Sequence, residues 1–110
     1  MVVKNNLPRP VVRDGNGKLA KDYTWLDWIS KLNEELDEVK YQVYELEDKF
    51  GDYNFDEDEG LHNVAMELQD LITVCTSMQQ NYLGLDEDER NKICAEVNEK
   101  NAKRGYLNEG

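Results

Sequence analysis

Histidine is nearly absent from this chain and cysteine is scarce: 110 residues hold one histidine, His62, and two cysteines, Cys75 and Cys94. A lone imidazole removes most histidine-based metal and triad chemistry, and two isolated thiols form neither a disulfide framework nor a zinc pattern. Cys75 is expected to fill core space, Cys94 to be partly buried, and His62 to be a polar residue early in a helix. The only prolines are Pro8 and Pro10, so no helix is expected around them and none is interrupted later. No apolar run approaches the roughly 20 residues that span a bilayer. The start, MVVKNNLPRP, lacks the apolar core of about 7–15 residues that marks a signal peptide. A cytoplasmic protein away from membranes is the expectation. Positive charge is also short: 13 bases face 24 acids, for a net charge of −11. A general nucleic-acid binder needs the opposite sign on its contact face, so that class falls away.

What the chain does have is acid, unevenly placed, and helical periodicity. Residues 1–21 carry five bases (Lys4, Arg9, Arg13, Lys18, Lys21) and one acid, Asp14, whereas residues 22–89 carry 20 acids and three bases. Residues 1–22 read as an irregular arm in which Asp14-Gly15-Asn16-Gly17 signals a turn that joins two short strands. The domain proper is expected over residues 23–107. Thr24, with Asp27 three residues on, marks a helix start. Trp25, Ile29, Leu32, Leu36, Val39, Val43, Leu46 and Phe50 then recur at steps of four and three, and Gly51 ends the run. That stripe predicts an amphipathic helix of roughly 39 Å. An acidic loop is expected over Asp52–Gly60. A second helix is expected from Leu61 to Leu83, with Val64, Leu68, Leu71, Cys75, Met78 and Tyr82 as its stripe. A third is expected between Asp86 and Gly105, carrying Ile93 and Val97. Three helices with short connections predict an all-α helical bundle with an irregular N-terminal arm. Its core is small for so long a first helix, so a homo-oligomer, dimer or tetramer, is expected to complete it.

At about 100° per residue, Glu35 and Glu38 lie along one flank of the first stripe, and Glu67 and Asp70 lie three apart on the second helix. Glu67 falls within the apolar arc. If the stripes pack together, these four carboxylates converge beside the core. Like charges so placed cost several kcal/mol or force protonation. A hard cation relieves the cost, and Mg²⁺ takes oxygen ligands while keeping waters for a phosphate-bearing substrate. Glu35, Glu38, Glu67 and Asp70 are therefore the candidate metal ligands, with Mn²⁺ a conceivable substitute. Asp52, Asn54 and Asp56 imitate the opening of a calcium loop, but its sixth position is Glu57 and its twelfth is Asn63, so that motif fails.

Glu34-Glu35-Leu36-Asp37-Glu38, then 28 residues, then Glu67-Leu68-Gln69-Asp70 reads as EExxE…ExxD. With Trp28-Ile29-Ser30-Lys31-Leu32 before it and a tail running from Asn98 to Tyr106, this resembles the MazG-like members of the all-α nucleoside triphosphate pyrophosphohydrolase superfamily. The resemblance covers about residues 24–107 and leaves the arm unexplained. It implies a Mg²⁺-dependent hydrolase that cuts a nucleoside triphosphate between its α- and β-phosphates. By position it implies Glu35, Glu38, Glu67 and Asp70 as metal-holding catalytic acids, and Glu34 as a further acid that binds a second ion or orients water.

The third helix offers what the acids lack. Ile93, Val97, Lys100 and Arg104 share one line, so its stripe turns basic near the end, beside Asn101. These bases suit either a triphosphate's far side or the helix dipole. Asn98 and Lys103 belong to the same tail. Lys31 either contacts phosphate or pairs with Glu35 one turn on, and Trp28 either stacks on a base or packs in the core. Two other functions compete with the hydrolase: a catalytically silent helical adaptor, and a nucleotide or metal sensor with the same site.

Overall fold

The computed structural model describes residues 7–107. Lys4 and the rest of the first six residues of the expected arm lie outside the described residues. The order of elements is a 3₁₀ turn at Ala20–Asp22, then helices α1 (Trp25–Lys49), α2 (Glu57–Asn81) and α3 (Glu87–Lys103). The fold is all-α, as the periodicity predicts.

Each helix begins where its sequence supplies a cap. The Asp27 N–H donates to Thr24 Oγ1 at 3.3 Å, and the Thr24 N–H donates to Asp27 Oδ2 at 2.9 Å, which satisfies two donors that α1 would otherwise leave open. The chain leaves α1 at Gly51, whose φ of 91° favours a residue without a Cβ. Helix α2 starts a full turn before the expected Leu61. Asp56 caps it by accepting from the Glu59 N–H at 3.1 Å, and Glu57, Asp58 and Glu59 occupy its first turn, where negative charge meets the positive end of the dipole. The acidic run expected as a loop is therefore half helix. Gly60, expected in that loop, is buried within α2 because Phe55 and Leu46 press against it. Asp86 and Glu89 form a reciprocal cap for α3.

Helices α1 and α2 pack along each other and run antiparallel: Trp28 near the start of α1 clusters with Val74 late in α2, while Leu46 near the end of α1 meets Gly60 near the start of α2. Only every second member of each stripe reaches this seam. On α1, Leu32, Val39 and Leu46 are buried or half-buried, but Ile29, Leu36, Val43 and Phe50, seven residues apart, are 37–59% exposed. On α2, Val64, Leu71 and Met78 face inward, and Leu61, Leu68, Cys75 and Tyr82 remain exposed. Helix α3 packs against neither partner to a comparable degree and has no buried residue. Cys75 and Cys94 are both exposed, contrary to expectation.

The result is open for its size. The radius of gyration is 17.2 Å, against about 13 Å for a compact domain of this length. Among the described residues the buried apolar ones are just Ala20, Trp28, Val39 and Val74.

The arm closes one end of the α1–α2 pair. Arg13 and Leu19 form one antiparallel bridge rather than two strands. Asp14 organises the turn between them: its Oδ1 accepts from the Asn16 and Lys18 N–H groups, both at 2.9 Å, and its Oδ2 accepts from Tyr23 Oη at 2.7 Å. Partial burial, and then that hydrogen bond, push the Tyr23 phenol up to about 12. The Val11 N–H donates to Ser77 Oγ at 2.8 Å, which pins the arm to α2 across 66 residues of sequence.

Candidate metal centre

The antiparallel packing of α1 and α2 brings Glu35 opposite Glu67 and Asp70, and one carboxylate oxygen from each lies within 4.8 Å of the others. Glu35 and Glu67 are half-buried and Asp70 is exposed, so the trio sits at the rim of the helix seam with a water-facing side. Three carboxylate oxygens this close make a hard-donor set that could hold a metal ion. Partial burial, then the charges of Asp70, Glu38 and Glu35, raises the Glu67 carboxyl above its ordinary range. A carboxylate so placed gains from any cation between the acids.

Glu38 stands apart from the trio. It is exposed and adds charge against Glu67 without placing an oxygen in the shared set. Glu34 is 63% exposed on the rim, and Lys31 Nζ reaches both Glu34 Oε1 at 3.7 Å and Glu35 Oε1 at 3.3 Å. Of its two expected roles Lys31 therefore fills the pairing one here, offsetting part of the charge on Glu35. Trp28, 2% exposed, is a core residue with Tyr23 packed edge-on at a centroid distance of 4.8 Å. It also walls a cavity of about 280 Å³ between the arm and the two helices, a cavity that Glu35 and Asp70 line at their end. Of its two expected roles Trp28 therefore fills the packing one here.

The expected phosphate cations do not reach the acids within one chain. Asn98, Lys100, Asn101, Lys103 and Arg104 all lie on or just past α3, which does not pack beside the trio. Three of them engage locally instead. Lys103 pairs with Glu99 at 3.1 Å, the Arg104 guanidinium lies 6.0 Å from the Tyr106 ring, and the Asn98 amide faces Cys94 Sγ at 3.9 Å.

Sequence reasoning found the acids and missed the arm. Arg13, Asp14, Tyr23 and Ser77 help enclose the cavity beside them. The available signals were the Asp14–Gly17 turn and a small polar residue, Ser77, one turn beyond Val74 on a helix face otherwise used for packing. No known protein family, curated protein or solved structure matches the chain.

Proposed function

We propose that the protein is a Mg²⁺-dependent hydrolase that cleaves a nucleoside triphosphate between the α- and β-phosphates. One observation carries this reading: Glu35 meets Glu67 and Asp70, 32 and 35 residues further on, with three carboxylate oxygens within 4.8 Å of one another. The MazG-like spacing of those acids supports it. Glu35, Glu67 and Asp70 hold the cation, with Glu38 the adjoining acid. When bound, the cation neutralises phosphate oxygens and lowers the pKa of a coordinated water. Water oxygen bonds to the α-phosphorus, the bond to the α–β bridging oxygen breaks, and pyrophosphate leaves with that oxygen. Glu38 and Glu34, outside the oxygen set and open to solvent, are the acids free to take the water's proton. No helix among the described residues is long and apolar enough to cross a membrane.

The same reading includes a second copy of the chain. The exposed rows Ile29/Leu36/Val43/Phe50 and Leu61/Leu68/Cys75/Tyr82 repeat every seven residues, the spacing of a helix-bundle seam. The accessible surface is 8927 Å², about 2,600 Å² more than the roughly 6,300 Å² of a compact monomer of this mass. Covering that excess on two chains buries on the order of 5,000 Å², the scale of an obligate homodimer. Only in such an assembly do Lys100, Asn101 and Arg104 have a route to the triphosphate.

The test is a panel of canonical and modified nucleoside triphosphates with Mg²⁺, assayed for monophosphate and pyrophosphate. Turnover that Glu67→Gln and Asp70→Asn abolish, in variants that still fold, supports the enzyme. Binding without turnover replaces it with a sensor, and neither binding nor turnover replaces it with an adaptor. Light scattering of a monomer at micromolar concentration removes the second copy.

A further inference from the structure

We propose that the N-terminal arm is a strap that brings Arg13 to a phosphate group held by the cation at Glu35, Glu67 and Asp70, and that this phosphate in turn holds the strap closed. The proposal rests on the hydrolase reading for one thing only, that a phosphate sits on that cation.

The arm is built to present this residue. Arg13 pairs with Leu19 in an antiparallel bridge, and the residues on either side of it are tied down. The Val11 N–H donates to Ser77 Oγ at 2.8 Å, the Val12 carbonyl accepts from the Ala20 N–H at 2.8 Å, and the Asp14 N–H donates to the Lys18 carbonyl at 2.9 Å. In an extended segment alternate residues share a face. Val11 and Arg13 accordingly line the cavity of about 280 Å³ beside the acids, whereas Val12 stays outside it and is 65% exposed.

Charge says what Arg13 can do there. Glu35 and Asp70 line the same cavity, so the cation centre and the arm share one space. The cavity's third carboxylate, Asp14, is occupied by its own turn, where Tyr23 and two backbone N–H groups donate to its oxygens. Two cations line the cavity, Arg13 and Lys31. Lys31 pairs with Glu34 and Glu35, while Arg13 takes part in no ion pair among the described residues. A phosphate that binds a metal through one oxygen keeps others to be met, and a guanidinium meets two at once through its planar fork of N–H donors. Helix α3 does not pack beside the acids, so within one chain Arg13 is the cation open to that contact.

The contact makes phosphate binding and arm closure one linked process. Ala20, against Trp28 and Val74, is the one buried residue of the arm among those described, so the arm is held lightly. Arg13 meets the phosphate only while the arm is docked. Whatever factor Arg13 adds to phosphate affinity, the phosphate must add to docking.

The experiment follows binding of inorganic pyrophosphate to the full chain by calorimetry, with Mg²⁺ present, in the parent, Arg13→Gln, Arg13→Lys and Lys21→Gln. Lys21 is an exposed base of the arm that does not line the cavity, so its variant removes the same charge without the contact. Arg13→Gln is expected to bind about tenfold more weakly or worse, the effect of one charged hydrogen bond. Arg13→Lys should recover part of that loss, and Lys21→Gln should lose less than about twofold, since exposed charges are screened. Amide exchange reads the other half. Pyrophosphate should slow the Asp14 and Ala20 amides about tenfold in the parent and leave them unchanged in Arg13→Gln. Without pyrophosphate, those amides should exchange alike in both. Faster exchange in pyrophosphate-free Arg13→Gln would make Arg13 a structural part of the arm and overturn the proposal. Equal losses in Arg13→Gln and Lys21→Gln, arm amides indifferent to pyrophosphate, or no pyrophosphate binding by the parent overturns it as well. Failure of the hydrolase reading shows separately, as absence of pyrophosphate release from nucleoside triphosphates by the parent.

Discussion

Replacing Ser77 by alanine isolates the attachment of the arm. Ser77 is 1% exposed; its Oγ accepts from the Val11 N–H at 2.8 Å and donates to the Thr73 carbonyl at 2.7 Å. The Thr73 carbonyl keeps its helical N–H partner in Ser77→Ala, so only the Val11 N–H loses its acceptor. Val11 is 42% exposed and water reaches it on release, which puts the loss near the middle of the usual range, about 1–1.5 kcal/mol. Alanine also raises helix propensity by up to about 0.5 kcal/mol. That gain helps α2 whether or not the arm is docked. Global stability should therefore fall by only about 0.5–1 kcal/mol, while the docked arm becomes roughly five- to twelvefold less favoured. Amide hydrogen exchange separates the two quantities. The Ala20 N–H, which bonds the Val12 carbonyl at 2.8 Å, and the Asp14 N–H, which bonds the Lys18 carbonyl at 2.9 Å, should exchange faster by that factor. Amides in the middle of α2 should change far less. Arm amides that exchange at the original rate would refute the reasoning, because the arm would then be held by something other than Ser77.

Gly60→Ala places a Cβ 2.6 Å from Phe55 Cζ and 3.1 Å from Leu46 Cδ1. The overpacking cost of about 1–3 kcal/mol outweighs the helix gain of about 1 kcal/mol, so the melting temperature should fall, and Phe55→Leu added to it should recover part of the loss. An unchanged or higher melting temperature for Gly60→Ala contradicts this packing. Of the six tyrosines, Tyr23 should ionise near 12 instead of 10, and Tyr23→Phe should delete that late step from an ultraviolet titration. The sign follows from the raised value: the stability this phenol contributes is complete below pH 10 and lost as pH climbs through 12. Glu67 shifts upward as well, but as an acid it holds its proton more tightly in the folded chain than in the unfolded one. With a chelator present, its effect favours folding below the ordinary value of 4.5 and turns against folding as pH rises through the raised one. Glu67→Gln should accordingly melt higher than the parent at pH 7 without metal and lose the parent's gain on adding Mg²⁺. A parent that melts as high as Glu67→Gln in chelator removes the repulsion argument.

The helices were legible in the sequence because caps and periodicity act locally. Thr24 with Asp27, and Asp86 with Glu89, do in the structure what their spacing implies. The start of α2 was misplaced because acidity and a glycine look like a loop. Asp56 as cap and the dipole's preference for acids make the same residues a first turn. Periodicity identified every stripe residue but not which row each helix spends on the other. Ile29 and Leu32 look alike in sequence, and only the crossing of α1 with α2 decides that the first stays exposed. The meeting of Glu35 with Glu67 and Asp70 was foreseeable from the flank each occupies, whereas the separation of Glu38 depends on side-chain directions that spacing leaves open. The basic line on α3 is continuous with an apolar stripe, and that continuity says nothing about which chain covers it. The arm was the least legible part, since its position depends on long-range contacts, the Val11–Ser77 hydrogen bond across 66 residues and the packing of Ala20 with Trp28 and Val74.

The most direct test of the central claim is Mn²⁺ binding by the metal-free protein, followed by paramagnetic resonance or calorimetry, in the parent, Glu35→Gln, Glu67→Gln, Asp70→Asn and the exposed control Asp37→Asn. The expected result is saturable binding by the parent and the control that each of the three other substitutions weakens severely. Binding that Asp37→Asn reduces as much as Glu67→Gln does, or that none of the substitutions alters, would mean that the acids attract cations only as a diffuse charged surface and that α1 and α2 build no metal centre.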